Sequence, residues 1–379
     1  MWRRIDTPVF ALVIAAVAAS AFVLVELAHD GGDPGRSVRA GLPFADPAAV
    51  PPGLPVSDSG YDGQFYYRLA LDPLTTEPTA FGITLDRAAY RQQRILYPAA
   101  AWAVSAADPS RVPAALIAVN LVAWIALAWL GARYAQALGR HSAWGLLFPL
   151  YPGFLVTVTH DLTELVGACV LLTGLLALSR ARVGRAAAAF SVAPFARETA
   201  LGVALAVLAT SAVQDLRSRR IGRTTLLLLI PFAVAVAWQL VLAARWGGVA
   251  LGQGTTAFAP PLFGPVAAVL RNESLPPDAL VIWLGLLAVL VAIVGLTFAA
   301  LRRTGAERPL LLAWLGYLAL NVLYEGNIWS NPAGFLRADL ELSLLGIAFV
   351  LRSTAGLRWG LAAVLAFGSA LLAITHVNA

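Results

Sequence analysis

Long apolar runs alternate along this chain with short segments that carry arginine, and a run of about 20 apolar residues is long enough to cross a bilayer as a helix. Such runs fall at 9–28, 112–131, 143–159, 162–179, 224–244, 279–300, 309–324, 338–351 and 358–376. Two shorter ones, 186–194 and 199–213, flank Pro194-Phe195-Ala196-Arg197-Glu198-Thr199. The pattern predicts an all-α polytopic membrane protein with about 11 membrane helices, two of them short or re-entrant, in a single transmembrane domain. The first run is longer than the apolar core of a cleavable signal, so it is expected to remain as a helix.

Arginine placement orients these helices, because basic residues in short loops collect on the cytoplasmic side. All 27 basic residues are arginine. With the N-terminus inside, 16 of them fall in inside segments: Arg3, Arg4, Arg133, Arg140, Arg352, Arg358, and the groups Arg180/Arg182/Arg185, Arg217/Arg219/Arg220/Arg223 and Arg302/Arg303/Arg308. Arg36, Arg39, Arg68, Arg87, Arg91 and Arg94 lie in the loop after the first helix, with Arg111 at its very end. The groups on either side of 186–213 both belong in the cytoplasm, so that segment is expected to enter and return. Pro194 would break it and lift Arg197 and Glu198 toward the outer face. The backbone freed by such a turn needs protein or water around it.

Composition narrows the function. With 59% hydrophobic and 13% charged residues, the chain lies far from soluble averages. Its net charge of +6 resides in loops between apolar runs rather than on a soluble basic face, which argues against a nucleic-acid partner. Cys169 is the only cysteine, so neither an intramolecular disulfide nor a cysteine metal site is possible. Without lysine, Schiff-base chemistry is excluded.

The only soluble-sized segment is the first outer loop, 29–111. Within it Tyr61-Asp62-Gly63-Gln64-Phe65-Tyr66-Tyr67-Arg68 reads as the start of a helix, and 87–106 as a second, interfacial helix containing Tyr90-Arg91-Gln92-Gln93-Arg94-Ile95-Leu96-Tyr97-Pro98. Asp62 can be an N-cap, or a carboxylate partly desolvated by aromatic rings and suited to taking a proton from a hydroxyl. Arg91 and Arg94 share a helix face and have the guanidinium geometry that fits phosphate; headgroup contacts or ion pairs with Asp86 or Asp72 are the alternative.

Three further polar clusters fall on the same outer side. His160-Asp161-Leu162-Thr163-Glu164 places Asp161 and Glu164 three residues apart, either as two carboxylates facing an acceptor or a divalent cation, or as a plain polar turn. Arg197 and Glu198 are charges inside a membrane segment, which marks them as functional by default, although an internal ion pair also accounts for them. Arg337 begins a helix where an anion at the membrane surface can be met; a surface anchor is the other reading.

The Tyr61–Tyr67 and Tyr90–Pro98 motifs, following an apolar first helix, resemble a bacterial family of cell-surface glycopolymer formation membrane proteins. More broadly the chain resembles the GT-C superfamily of multi-spanning glycosyltransferases, which use polyprenyl-phosphate sugars on the non-cytoplasmic face. The resemblance implies a GT-C-like fold and an acidic base in the first outer loop, here Asp62. It implies Arg91, Arg94, Arg197 and Arg337 as holders of the donor phosphate. Tyr61, Gln64, Tyr66, His160, Asp161, Glu164 and Glu198 are then expected on the acceptor or sugar side. Many members carry two adjacent acids where Asp62 is followed by Gly63, so metal use stays open and no cofactor is firmly indicated. The implied partners are a lipid-linked sugar donor, a glycan or glycolipid acceptor and membrane lipid. A transporter or flippase of lipid-linked envelope precursors is the competing class, and a non-catalytic assembly subunit a third.

Overall fold

The structure, a computed structural model, describes residues 6–106, 108–250, 258–305 and 307–377. Arg3 and Arg4 lie outside the described residues. The chain is an all-α integral membrane protein. Among the described residues six helices are long and apolar enough to cross a membrane: α1 (Pro8–His29), α5 (Val112–Ala137), the 3-10 turn at Glu198 with α9 (Leu201–Ser218), α10 (Arg223–Trp246), α12 (Pro277–Thr304) and α17 (Ala355–Val377). Shorter apolar helices accompany them: α7 (Glu164–Ser179), α8 (Val183–Ala196) and α13 (Arg308–Val322). Helix α10 leaves Leu229, Ile230, Val236 and Leu240 exposed, a face suited to lipid. By contrast α16 (Leu340–Arg352) is buried from Leu340 to Leu351.

The apolar run 143–159 is not one helix, which corrects the expectation from hydropathy. A 3-10 turn, Ser142–Leu147, and a seven-residue helix, α6 (Gly153–Thr159), replace it. Gly145 lies against α5, where an added Cβ would stand 2.1 Å from the Ala132 nitrogen, and Pro149 and Pro152 lack the N–H a continuous helix needs. The indole of Trp124 donates to the Pro149 carbonyl at 2.8 Å, so the freed backbone is paired.

The segment 186–213 does form two helices around a break, but the break lies at Arg197. Pro194 sits within the last turn of α8, and Arg197 is extended with φ −157° and ψ 106°. Protein side chains satisfy the opened backbone: Thr163 Oγ1 donates to the Ala196 carbonyl at 3.1 Å, and the Tyr317 hydroxyl to that of Thr199 at 2.6 Å. This is the condition under which irregular backbone is stable in a membrane protein.

The loop between α1 and α5 folds onto the bundle. It contains α2 (Gly63–Leu71), α3 (Ala88–Gln92), α4 (Leu96–Ser105) and two pairs of two-residue strands. The second helix expected over 87–106 is therefore split at 93–95, with Pro98 tolerated in the first turn of α4. Tyr66, Tyr67, Tyr97 and Ala101 belong to the same apolar core as Leu116 and Leu127 of α5. The loop's polar residues are thus held at the end of the membrane helices.

Candidate active site

Gly63 explains how a short loop helix brings a carboxylate to the membrane helices. A Cβ there would stand 2.4 Å from the His160 carbonyl oxygen and 2.7 Å from that of Val38; glycine lets the start of α2 sit against the turn after α6. Asp62, just before it, is not a cap, since its side chain makes no hydrogen bond to the first turn of α2. Its Oδ1 accepts from Arg91 Nη1 at 2.8 Å and its Oδ2 from Arg337 Nη2 at 3.0 Å. Burial acts to raise this carboxyl, but the Arg91 and Arg337 guanidiniums outweigh it and hold the group well below the usual carboxylate range.

From Asp62 the pairing continues in both directions. Arg91 donates twice to Asp86, at 2.7 and 3.0 Å, so the ion-pair alternative and the Asp62 contact hold together. Arg337 Nε donates to Glu164 Oε1 at 2.8 Å and its Nη1 to the Tyr61 hydroxyl at 3.2 Å. The same Glu164 oxygen accepts from Arg197 Nη1 at 3.1 Å, and Arg197 Nε donates to Glu341 Oε1 at 2.6 Å. Gly167 leaves room for this, because a Cβ there would meet the Arg197 Cβ at 2.8 Å. Arg94 forms its own two-pronged pair with Glu198, at 3.0 and 2.6 Å. Guanidinium and carboxylate alternate throughout, which is how so many charges can be buried together.

A cavity of about 460 Å³ opens beside these pairs, walled by Tyr61, Asp62, Arg94, Glu164, Arg197, Glu198 and Arg337. Tyr90, Gln93, Thr199, Phe258, Leu320, Tyr324, Asn327, Ile328 and Asn331 complete most of the wall. Residues from 61–94, 164, 197–199, 258 and 320–338 therefore meet at one place. The Asp62 side chain is 24% exposed, against 2% for Glu164, so Asp62 is the more accessible of these two acids.

The remaining sequence candidates serve other ends. Arg91 stands behind Asp62 and does not line the cavity. Gln64 is buried, and its Oε1 accepts from the Gly41 N–H at 3.2 Å, tying α2 to the first strand pair. Tyr66 packs against Tyr97 with ring centroids 5.7 Å apart, and burial pushes its phenol up to about 12. His160 meets the Tyr61 ring edge-on at 4.9 Å and shares a 2.9 Å hydrogen bond between its Nδ1 and Thr159 Oγ1. These four are corrected from ligand contacts to supports.

Asp161 is the clearest correction. It does not present a carboxylate beside Glu164, because α7 begins only at Glu164 and Asp161 has a left-handed backbone, φ 47°. Its side chain turns into the core, with Oδ1 3.5 Å from the Tyr97 hydroxyl, and burial raises it well above the usual carboxylate range. The paired acids expected to face an acceptor or a divalent cation are thus not formed. Among the described residues no group of three His, Cys, Asp or Glu side chains is placed to hold a metal ion.

Glu341 was not among the sequence candidates, although its signal was present: a carboxylate inside an apolar run, the situation that marks a membrane residue as functional. Comparison with protein-family models, curated proteins and solved structures finds no match for this chain.

Proposed function

We propose that the chain is a membrane glycosyltransferase of GT-C type. It moves a sugar from a polyprenyl-phosphate donor to a glycan or glycolipid acceptor on the outer face of a bacterial inner membrane, with the N-terminus cytoplasmic. The observation that carries this reading is the single cavity shared by a loop carboxylate, Asp62, and three guanidiniums, Arg94, Arg197 and Arg337, beside the apolar side chains of Leu320, Ile328 and Phe258. An anionic lipid head fits the first set of groups and the start of its chain the second.

In the proposed reaction Asp62 accepts the proton of an acceptor hydroxyl as that oxygen bonds to the anomeric carbon. The bond from that carbon to the phosphate oxygen breaks, and its electron pair leaves with the lipid phosphate. Arg94, Arg197 and Arg337 stabilise the charge that develops there. One displacement inverts the anomeric centre. Transfer by the purified protein from a polyprenyl-phosphate sugar tests the reading; no transfer from any such donor overturns it.

Arg337 links the two halves of the site, since it clamps Asp62 and also lines the cavity. A phosphate that draws Arg337 to itself removes one of the two clamps and raises the proton affinity of Asp62 when the acceptor must be deprotonated. The sign follows from the depressed Asp62 carboxyl. In the free protein it stays ionised down to pH values below the ordinary carboxylate range, and in the donor complex it protonates at higher pH. The acid limb of kcat should therefore lie above that of kcat/KM; coincident limbs would remove this coupling. Arg94→Ala should weaken donor binding by roughly 10- to 100-fold, the worth of a charge-assisted hydrogen bond. Unchanged donor affinity would take Arg94 out of the phosphate site.

A further inference from the structure

Gln93 lies in the Tyr90–Pro98 motif between two arginines, lines the cavity and is 1% exposed. Which end of its amide is left as the donor follows from the backbone of another segment. The Ala250 N–H can only donate, and it donates to Gln239 Oε1 at 3.1 Å. That leaves Gln239 Nε2 as the donor to Gln93 Oε1, at 3.0 Å. Gln93 is anchored again at its main chain, where the Trp238 indole donates to its carbonyl at 3.0 Å. Its Nε2 is therefore a fixed donor, and it is buried with no hydrogen-bond partner among the described residues.

A buried polar atom without a partner requires an explanation. A second one belongs to another side chain of the same lining: Glu164 Oε2 is buried and accepts no hydrogen bond among the described residues, while Oε1 takes both Arg197 and Arg337. A phosphate can satisfy the donor but not the carboxylate oxygen. A hydroxyl both donates and accepts, so hydroxyls satisfy both. The cavity is also walled by Phe258 and Tyr324, whose rings stack with centroids 5.7 Å apart and planes 17° from parallel, an apolar face for a sugar ring.

We infer that Gln93 Nε2 and Glu164 Oε2 read hydroxyl groups of the transferred sugar, with Gln239 as the residue that holds the Gln93 amide in its donating orientation. This deepens the transferase reading and rests on it. The lipid phosphate belongs to the arginines, and sugar choice to these two atoms.

The test is the affinity of the full-length protein in nanodiscs for bare undecaprenyl phosphate and for undecaprenyl phosphate bearing one hexose or one pentose. Wild type should bind one of the sugar-bearing lipids more tightly than the bare one. Gln93→Leu should weaken that lipid by about tenfold or more while bare lipid phosphate stays within about twofold. Gln239→Leu should give a smaller loss with the same selectivity. Equal weakening of bare and sugar-bearing lipids would mean that the amide meets phosphate, or that the wall is merely disturbed, and would overturn the inference. No change with either ligand would overturn it as well. If wild type binds neither lipid, the donor reading itself has failed, an outcome distinct from wild type binding both and Gln93→Leu following it unchanged.

Discussion

Asp62→Asn should lower sugar transfer by roughly 10²- to 10⁴-fold, the range expected for loss of a general base, with donor binding preserved or tightened. The reason lies in the two guanidiniums that hold this carboxylate. An amide keeps the shape of Asp62 and can still accept one hydrogen bond, while Arg91 remains paired with Asp86 at 2.7 Å. Arg337, relieved of one negative partner, is then freer to meet a phosphate. Simple misfolding would weaken donor binding and lower the melting temperature together with activity. A selective loss of turnover separates the two, and both are measurable on one preparation. Transfer by the folded variant within a few-fold of wild type would remove Asp62 from the chemistry.

Most of this site was legible in the sequence because charge is rare in a chain with 13% charged residues. Arg197, Glu198 and Arg337 stand out against apolar runs and Arg94 in a compact polar motif, and all four line the cavity. Spacing proved a weaker guide than polarity. Asp161 and Glu164 share a face only if a helix runs through both, and the left-handed residue at Asp161 breaks that periodicity before it starts. The same limit applies to 143–159, where hydropathy registers apolar content but not the prolines and the close approach of Gly145 to α5. Glu341 lies inside the apolar run 338–351 and reads there as part of a span, and Gln93 is an orphan donor only by virtue of what surrounds it. The roles of Gln64 and Tyr66 depended likewise on contacts far along the chain, with Gly41 and Tyr97.

Glu341→Ala should be the most destabilising single change at the site. Arg197 and Glu341 are 6% and 3% exposed and pair at 2.6 Å, so removing the carboxylate leaves a buried guanidinium short of a partner, a loss of about 3–5 kcal/mol. Thr199 Oγ1 also loses its 2.6 Å acceptor. A large fall in detergent melting temperature is the expected result, and a change near zero would mean that the pair is not buried as described. The combined Arg197→Met, Glu341→Leu variant then separates stability from function. Replacing a buried ion pair by apolar side chains of similar size is often neutral or stabilising, so its melting temperature should return most of the way to wild type. Donor affinity should not return with it, because Arg197 is one of the three guanidiniums that wall the cavity. If the double variant regains both, Arg197 is a structural ion and the phosphate is held by Arg94 and Arg337 alone; if it regains stability but not donor binding, the cost of burying this charge is maintained by its contact with the lipid phosphate.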